Sequence, residues 1–150
     1  MGIEFILLIL LSLPLLCGAQ TISNCPDLQN MQNNLTGIYT LSNDLDCAST
    51  IFFPVGNLTF PFQGSLYGGG FKIMNVSIKA SQDNVELFGA GMGCTVSNLT
   101  LVDFSVISSS ITNNTGLLFG LATNGTIVSR VNVTATVQQS RVSSIGGQLN

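Results

Sequence analysis

The clearest order in this sequence is a two-residue alternation of apolar and polar positions that is broken at regular intervals. FKIMNVSI (71–78) and CTVSNLTL (94–101) share the pattern β-branched, any, Asn, apolar, any, apolar, with an offset of 23 residues. TIVSRVNV (126–133) is a looser third copy, with Val131 and Val133 falling 32 residues after Leu99 and Leu101. VELFGAG (85–91) and GLLFGLA (116–122) form a second element at an offset of 31, and GQLN (147–150) opens a further copy. Short alternating runs of this kind, bounded by Gly, Asn and Ser, predict β-strands. Ile73, Val76 and Ile78 are assigned inward, as are Val96, Leu99 and Leu101, and Ile127, Val131 and Val133. The inward parity slips by one between Ile73 and Val76, which a straight strand does not allow because its side chains alternate faces. The chain must therefore bend near Asn75 and near Asn98, and Asn tolerates the left-handed backbone that a corner needs. With the 23-residue offset taken as the repeat, Asn75 and Asn98 stack as an enclosed Asn ladder.

Strands of this length, repeating every 20–30 residues, predict an all-β chain built as a parallel β-helix (a β-solenoid). Periodicity alone leaves two-sheet and left-handed versions open. The exception to the β pattern is CPDLQNMQNNL (25–35), where Pro26 sits at a first-turn position and Leu28, Met31 and Leu35 share one face. A short helix there would cover the exposed apolar end of the first coil. The predicted organisation is a signal peptide over 1–19, an N-terminal cap segment over 20–50, and solenoid coils over 51–150 that are cut off at the C-terminal end. Phe5 to Leu16 is an apolar run of twelve residues, shorter than the about 20 needed to cross a bilayer. Cys17-Gly18-Ala19 then supplies small residues for cleavage before Gln20, although the leading segment carries Glu4 and no Lys or Arg. The expected location is extracellular, secreted or on the cell surface, with no membrane span.

Composition narrows the function. Charged residues make up 7% of the chain, against roughly 25% in an average domain. Net charge is −3 and the only cations are Lys72, Lys79, Arg130 and Arg141, so no basic patch exists for nucleic acid. No His is present, which removes the usual base of a nucleophilic triad. Two carboxylates could in principle serve a glycosidase. Asp44 and Asp46, two apart on one strand face, are the best-placed pair, but Asp before a turn is also a common structural choice. GGGFK (68–72) lacks the Gly-Lys-Ser/Thr of a phosphate loop, and its glycines suit a corner or close packing. Phe52, Phe53, Phe60, Phe62, Phe88 and Phe119 are expected in core stacks, whereas Tyr67 lying outward with Phe60 would form a sugar platform. No catalytic residue, cofactor or metal ligand is assigned.

After signal removal three cysteines remain. Cys25 and Cys47 flank the cap segment and are the natural disulfide pair, worth roughly 3 kcal/mol by loop closure. Cys94, inside a repeat, reads as a small buried hydrophobe. Seven Asn-x-Ser/Thr sequons occur. Asn34, Asn57, Asn113 and Asn124 lie in turn-like contexts and are the candidate glycosylation sites. Asn75 and Asn98 are reserved for the ladder, and Asn132 falls mid-strand.

These residues also resemble a known family. CPDLQNMQNNLTGIYTLSNDLDC resembles the leading segment of secreted GLUG-repeat proteins. FFPVGNLTFPFQGSLYGGGFKIMNVSI is similar to their Phe-x-Pro-[Ile/Val]-Gly … Phe-x-Gly signature. ELFG and LLFG stand where the Gly-Leu-x-Gly element falls, with Glu86 and Leu117 replacing its first Gly. The resemblance covers residues 22–150. It implies a right-handed, pectin-lyase-like β-helix at a cell surface, adhesin-like and long. The residues themselves offer no catalytic centre, so the expected role is a non-catalytic structural and adhesive module, with surface glycans or other extracellular proteins as partners. A carbohydrate-active β-helix enzyme, a polysaccharide lyase or glycoside hydrolase with most active residues outside this stretch, is the alternative.

Overall fold

A computed structural model describes residues 18–80, 86–108 and 117–134, and shows an all-β arrangement of parallel sheets. The strands are β1 (Gln20–Ile22), β2 (Ile38–Leu41), β3 (Leu45–Asp46), β4 (Ile51–Phe52), β5 (Ser65–Tyr67) and β6 (Lys72–Met74). They continue with β7 (Ser77–Ala80), β8 (Phe88–Met92), β9 (Thr95–Val102), β10 (Ser105–Ser108), β11 (Phe119–Thr123) and β12 (Ile127–Thr134). Every pairing between them is parallel; β1 pairs with the next strand, β2, and the other pairs join positions 26–32 residues apart, one round of the strand order. Tyr39 pairs with Leu66, Leu66 with Val96 and Val96 with Val128. Leu45 pairs with Ile73 and Ile73 with Leu101. Phe52 pairs with Ile78, and Phe88 with Phe119.

The chain visits these columns in the same order in each round. β9 shows how one column passes into the next: its residues 95–97 pair with β5 and its residues 100–102 with β6. Between them Asn98 adopts φ 55° and turns the strand. β12 copies the bend at Arg130, φ 53°, and pairs with β9 on both sides of it.

The inward positions of successive rounds form the core. Tyr39, Leu66 and Val96 are buried in one column, Leu45, Ile73 and Leu101 in the next, and Phe52 and Ile78 in a third. Phe62, Phe88 and Phe119 stack in a fourth, with ring centroids 4.7 and 5.0 Å apart. All six residues assigned inward between Ile73 and Leu101 are buried.

The predicted cap forms as α1 (Cys25–Asn30) followed by a 3-10 turn over Met31–Asn33. Asn24 is its N-cap, accepting from the Asp27 backbone N–H at 2.8 Å, while Asp27 Oδ2 accepts from the backbone N–H and the hydroxyl of Ser23. Six residues are too few for a helix to stand alone. Burial of Leu28 and Met31 and the Cys25–Cys47 disulfide hold it on the core.

Three expectations are corrected. The 23-residue offset is not the register: Met74 pairs with Val102 and Ser97 with Ser129, so Asn75 falls beside Asp103 and Asn98 beside Arg130. Asn75 and Asn98 are therefore two different corners of the winding, each left-handed (φ 56° and 55°), and both side chains are exposed, so they form no enclosed ladder. Ile127 pairs with Thr95 and is 56% exposed, and the partner of Val96 is Val128. Phe53 and Phe60 lie outside the core, 56% and 65% exposed. Residues 1–17 of the expected signal peptide, Asn113 and the repeat copy at 147–150 lie outside the described residues.

Candidate functional site

The turn from Gly56 to Phe62 builds one wall of a surface cleft. Gly56 takes φ +71°, and the Asn57 backbone N–H donates to the Phe60 carbonyl at 2.9 Å. Asn57 Oδ1 accepts from the backbone N–H groups of Thr59 at 2.9 Å and Phe60 at 2.8 Å. This side-chain-to-backbone turn holds Phe60 outward. Against it lies the C-terminal end of the cap, and between the two is a cleft of about 400 Å³ lined by Gln32, Asn33, Leu35, Pro54, Gly56, Asn57 and Phe60. The lining consists of amides, aliphatic groups and one ring, with no ionisable side chain. It can hold a neutral, hydroxylated ligand, and it has no group to move a proton.

The carboxylate pair is engaged elsewhere. Asp44 Oδ1 accepts from the Lys72 backbone N–H at 2.8 Å, and Asp46 Oδ1 accepts from Asn75 Nδ2 at 2.9 Å and from the Ala48 N–H at 3.2 Å. Each thereby ties β3 to the following round. The Asn75 amide, helped by the Ala48 N–H, holds the Asp46 carboxyl below its ordinary value, the opposite of what a general acid needs. Glu86 is fully buried at the approach to β8. Among the described residues no group of three or more His, Cys, Asp or Glu could hold a metal ion.

The predicted cysteine pairing is present, with Cα atoms of Cys25 and Cys47 5.7 Å apart. Cys94 is free and buried, 3.7 Å from the Thr126 hydroxyl, and burial pushes its thiol pKa up. Of the sequon residues, Asn34, Asn57, Asn124 and Asn132 are exposed, as are the corner residues Asn75 and Asn98. Asn34 Oδ1 accepts from the Thr36 hydroxyl of its own sequon at 3.2 Å. Tyr67 is 42% exposed on β5, whereas Phe60 belongs to the cleft beside the cap.

Gln29 carries no signal in the sequence pattern. Its amide accepts from the Phe53 N–H at 2.7 Å and donates to the Phe53 carbonyl at 3.2 Å, replacing the neighbour strand that β4 lacks on that side. Nothing local marks this Gln, because the contact spans 24 residues.

No protein-family profile matches the chain, and no solved structure matches it. Among curated proteins it is similar to Halomucin of Haloquadratum walsbyi (strain DSM 16790 / HBSQ001), 34% identical over 156 aligned residues. The alignment covers 88% of this chain and 2% of the relative, so the chain spans a very small part of that protein's length. Among the described residues no helix is long and apolar enough to cross a membrane.

Proposed function

We propose that this chain is a stretch of a right-handed parallel β-helix that serves as a secreted or cell-surface structural and adhesive module, without catalysis of its own. The observation that carries this reading is the register. Strands pair in parallel with their counterparts further along the chain, and the longest run takes in five strands, β1, β2, β5, β9 and β12. That is how a solenoid stacks, and the resemblance to GLUG-repeat proteins points the same way. Outward positions along these strands are mainly Ser, Thr and Asn, which suits a long uncharged face better than a reaction centre. The similarity to Halomucin agrees with an extracellular structural role. The Asp44 and Asp46 contacts speak against the enzyme alternative, since both carboxylates are spent on tying rounds together.

Two measurements test the reading. Labelling of intact producing cells and of their medium should find the chain outside the cell. Incubation with a panel of neutral and acidic polysaccharides should release neither reducing ends nor unsaturated uronides. Turnover that disappears in Asp44→Asn or Asp46→Asn would overturn it in favour of a carbohydrate-active enzyme.

A further inference from the structure

The cleft beside the cap contains its own attachment point. Asn57 is one of its lining residues and also the acceptor of the sequon Asn57-Leu58-Thr59. Because Asn57 Oδ1 is held by the N–H groups of Thr59 and Phe60, the orientation of its amide nitrogen is set by the turn and not by chance rotation. Two large apolar side chains stand exposed around it, Leu58 at 60% and Phe60 at 65%, and neither is required by the core. Gln32 and Asn33 supply amides on the facing wall.

We infer that this cleft is the seat of an N-linked glycan carried by Asn57. Its first sugar rests an apolar C–H face near Phe60 and turns its polar groups to Gln32 and Asn33. A covalently tethered sugar is held at high effective concentration, so a shallow neutral cleft suffices where a free saccharide would need a deeper one. An aromatic ring and amides are the groups that match a sugar's alternating apolar and hydroxylated faces, and the absence of charge in the lining fits a neutral residue.

The modification balances with a lipid-diphosphate-linked oligosaccharide as donor. A bond forms between Asn57 Nδ2 and the anomeric carbon, and the bond from that carbon to the diphosphate oxygen breaks. Nδ2 gives up one proton, and the lipid diphosphate leaves with the electron pair. Nothing is oxidised or reduced.

The glycan seat does not depend on the adhesive role. It is tested on the chain secreted from a glycosylating host. Peptide mapping after enzymatic deglycosylation, which converts a glycosylated Asn to Asp, should show Asn57 occupied. An unmodified Asn57 would overturn the proposal. Thr59→Ala destroys the sequon while keeping Asn57 and its turn, and Phe60→Ala keeps the sequon while removing the ring. Both side chains are exposed, so both variants should fold. Thermal unfolding of the four combinations should show the Asn57 glycan raising Tm by a few degrees when Phe60 is present and by much less in Phe60→Ala. Glycans elsewhere, on Asn34 for example, are common to all four and cancel. An equal gain with and without the ring means an unseated, solvent-borne glycan and sinks the idea.

Discussion

At Gly64 the backbone of one round rests on the backbone of the round before it. The Ser65 N–H donates to the Gly37 carbonyl at 3.0 Å, and a Cβ at position 64 would sit on that same carbonyl oxygen. Backbone has no side chain to swing away, so Gly64→Ala should cost about 3 kcal/mol, at the upper end for overpacking. A denaturant midpoint unchanged by the substitution would show that the rounds are looser than described. Asp46 gives a second prediction at this scale. Its folded pKa lies below the ordinary carboxylate value, so its stabilising contribution is present above that value and is lost as pH falls through the lowered folded pKa. The largest cause is the Asn75 amide. Asn75→Gly removes that amide and still accommodates the left-handed corner, so the Asp46 carboxyl should titrate at a higher pH in this variant. Carboxyl-carbon NMR titration reads the shift, and an unmoved midpoint would assign the effect to the Ala48 N–H alone.

Among the elements, α1 and β4 work as one unit. β4 is an edge strand, and an open edge invites pairing with another chain. The Gln29 amide occupies that edge by imitating a peptide group on Phe53. Gln29→Ala should therefore lower stability by about 1 kcal/mol. It should also increase self-association, read by size-exclusion chromatography at rising concentration. A monomer as stable as the parent would mean that the clamp is incidental. The helix itself is readable from Pro26, Leu28 and Met31. The clamp is not, since it joins a helix face to a strand that only the fold brings beside it.

The molecule as a whole is held by columns that run across rounds. Phe62, Phe88 and Phe119 come from three separate segments, and the middle ring touches both others. Phe88→Ala should cost about 4 kcal/mol, as expected for a fully buried aromatic, whereas Phe53→Ala, on an exposed side chain, should change stability little. Equilibrium unfolding of the two variants makes the comparison, and similar losses would contradict the division between core and outward Phe. Cys94 belongs to the same interior, so a thiol reagent should reach it only when the chain unfolds.

The sequence by itself determined the all-β class, the cap, the cysteine pair, the buried alternation around Ile73 and Leu99, and the offsets of 31 and 32 that match Phe88 with Phe119 and Leu99 with Val131. Each is a local pattern or a direct repeat, and local patterns survive without knowledge of neighbours. Only the tertiary structure decided which corner stacks on which. Asn75 and Asn98 have the same local signature because both turn a strand through a left-handed residue. Alternation records which side chains point inward and is silent on how far round the winding a corner lies, so two different corners look like one repeated corner. Phe53 and Phe60 depart from the expected core stacks for a related reason, since hydrophobicity does not say whether a ring meets the interior or a cleft at the surface. The tie from Asp46 to Asn75 and the seat around Asn57 depend on segments far apart in sequence, and hydrogen bonds between rounds exist only once the rounds are stacked.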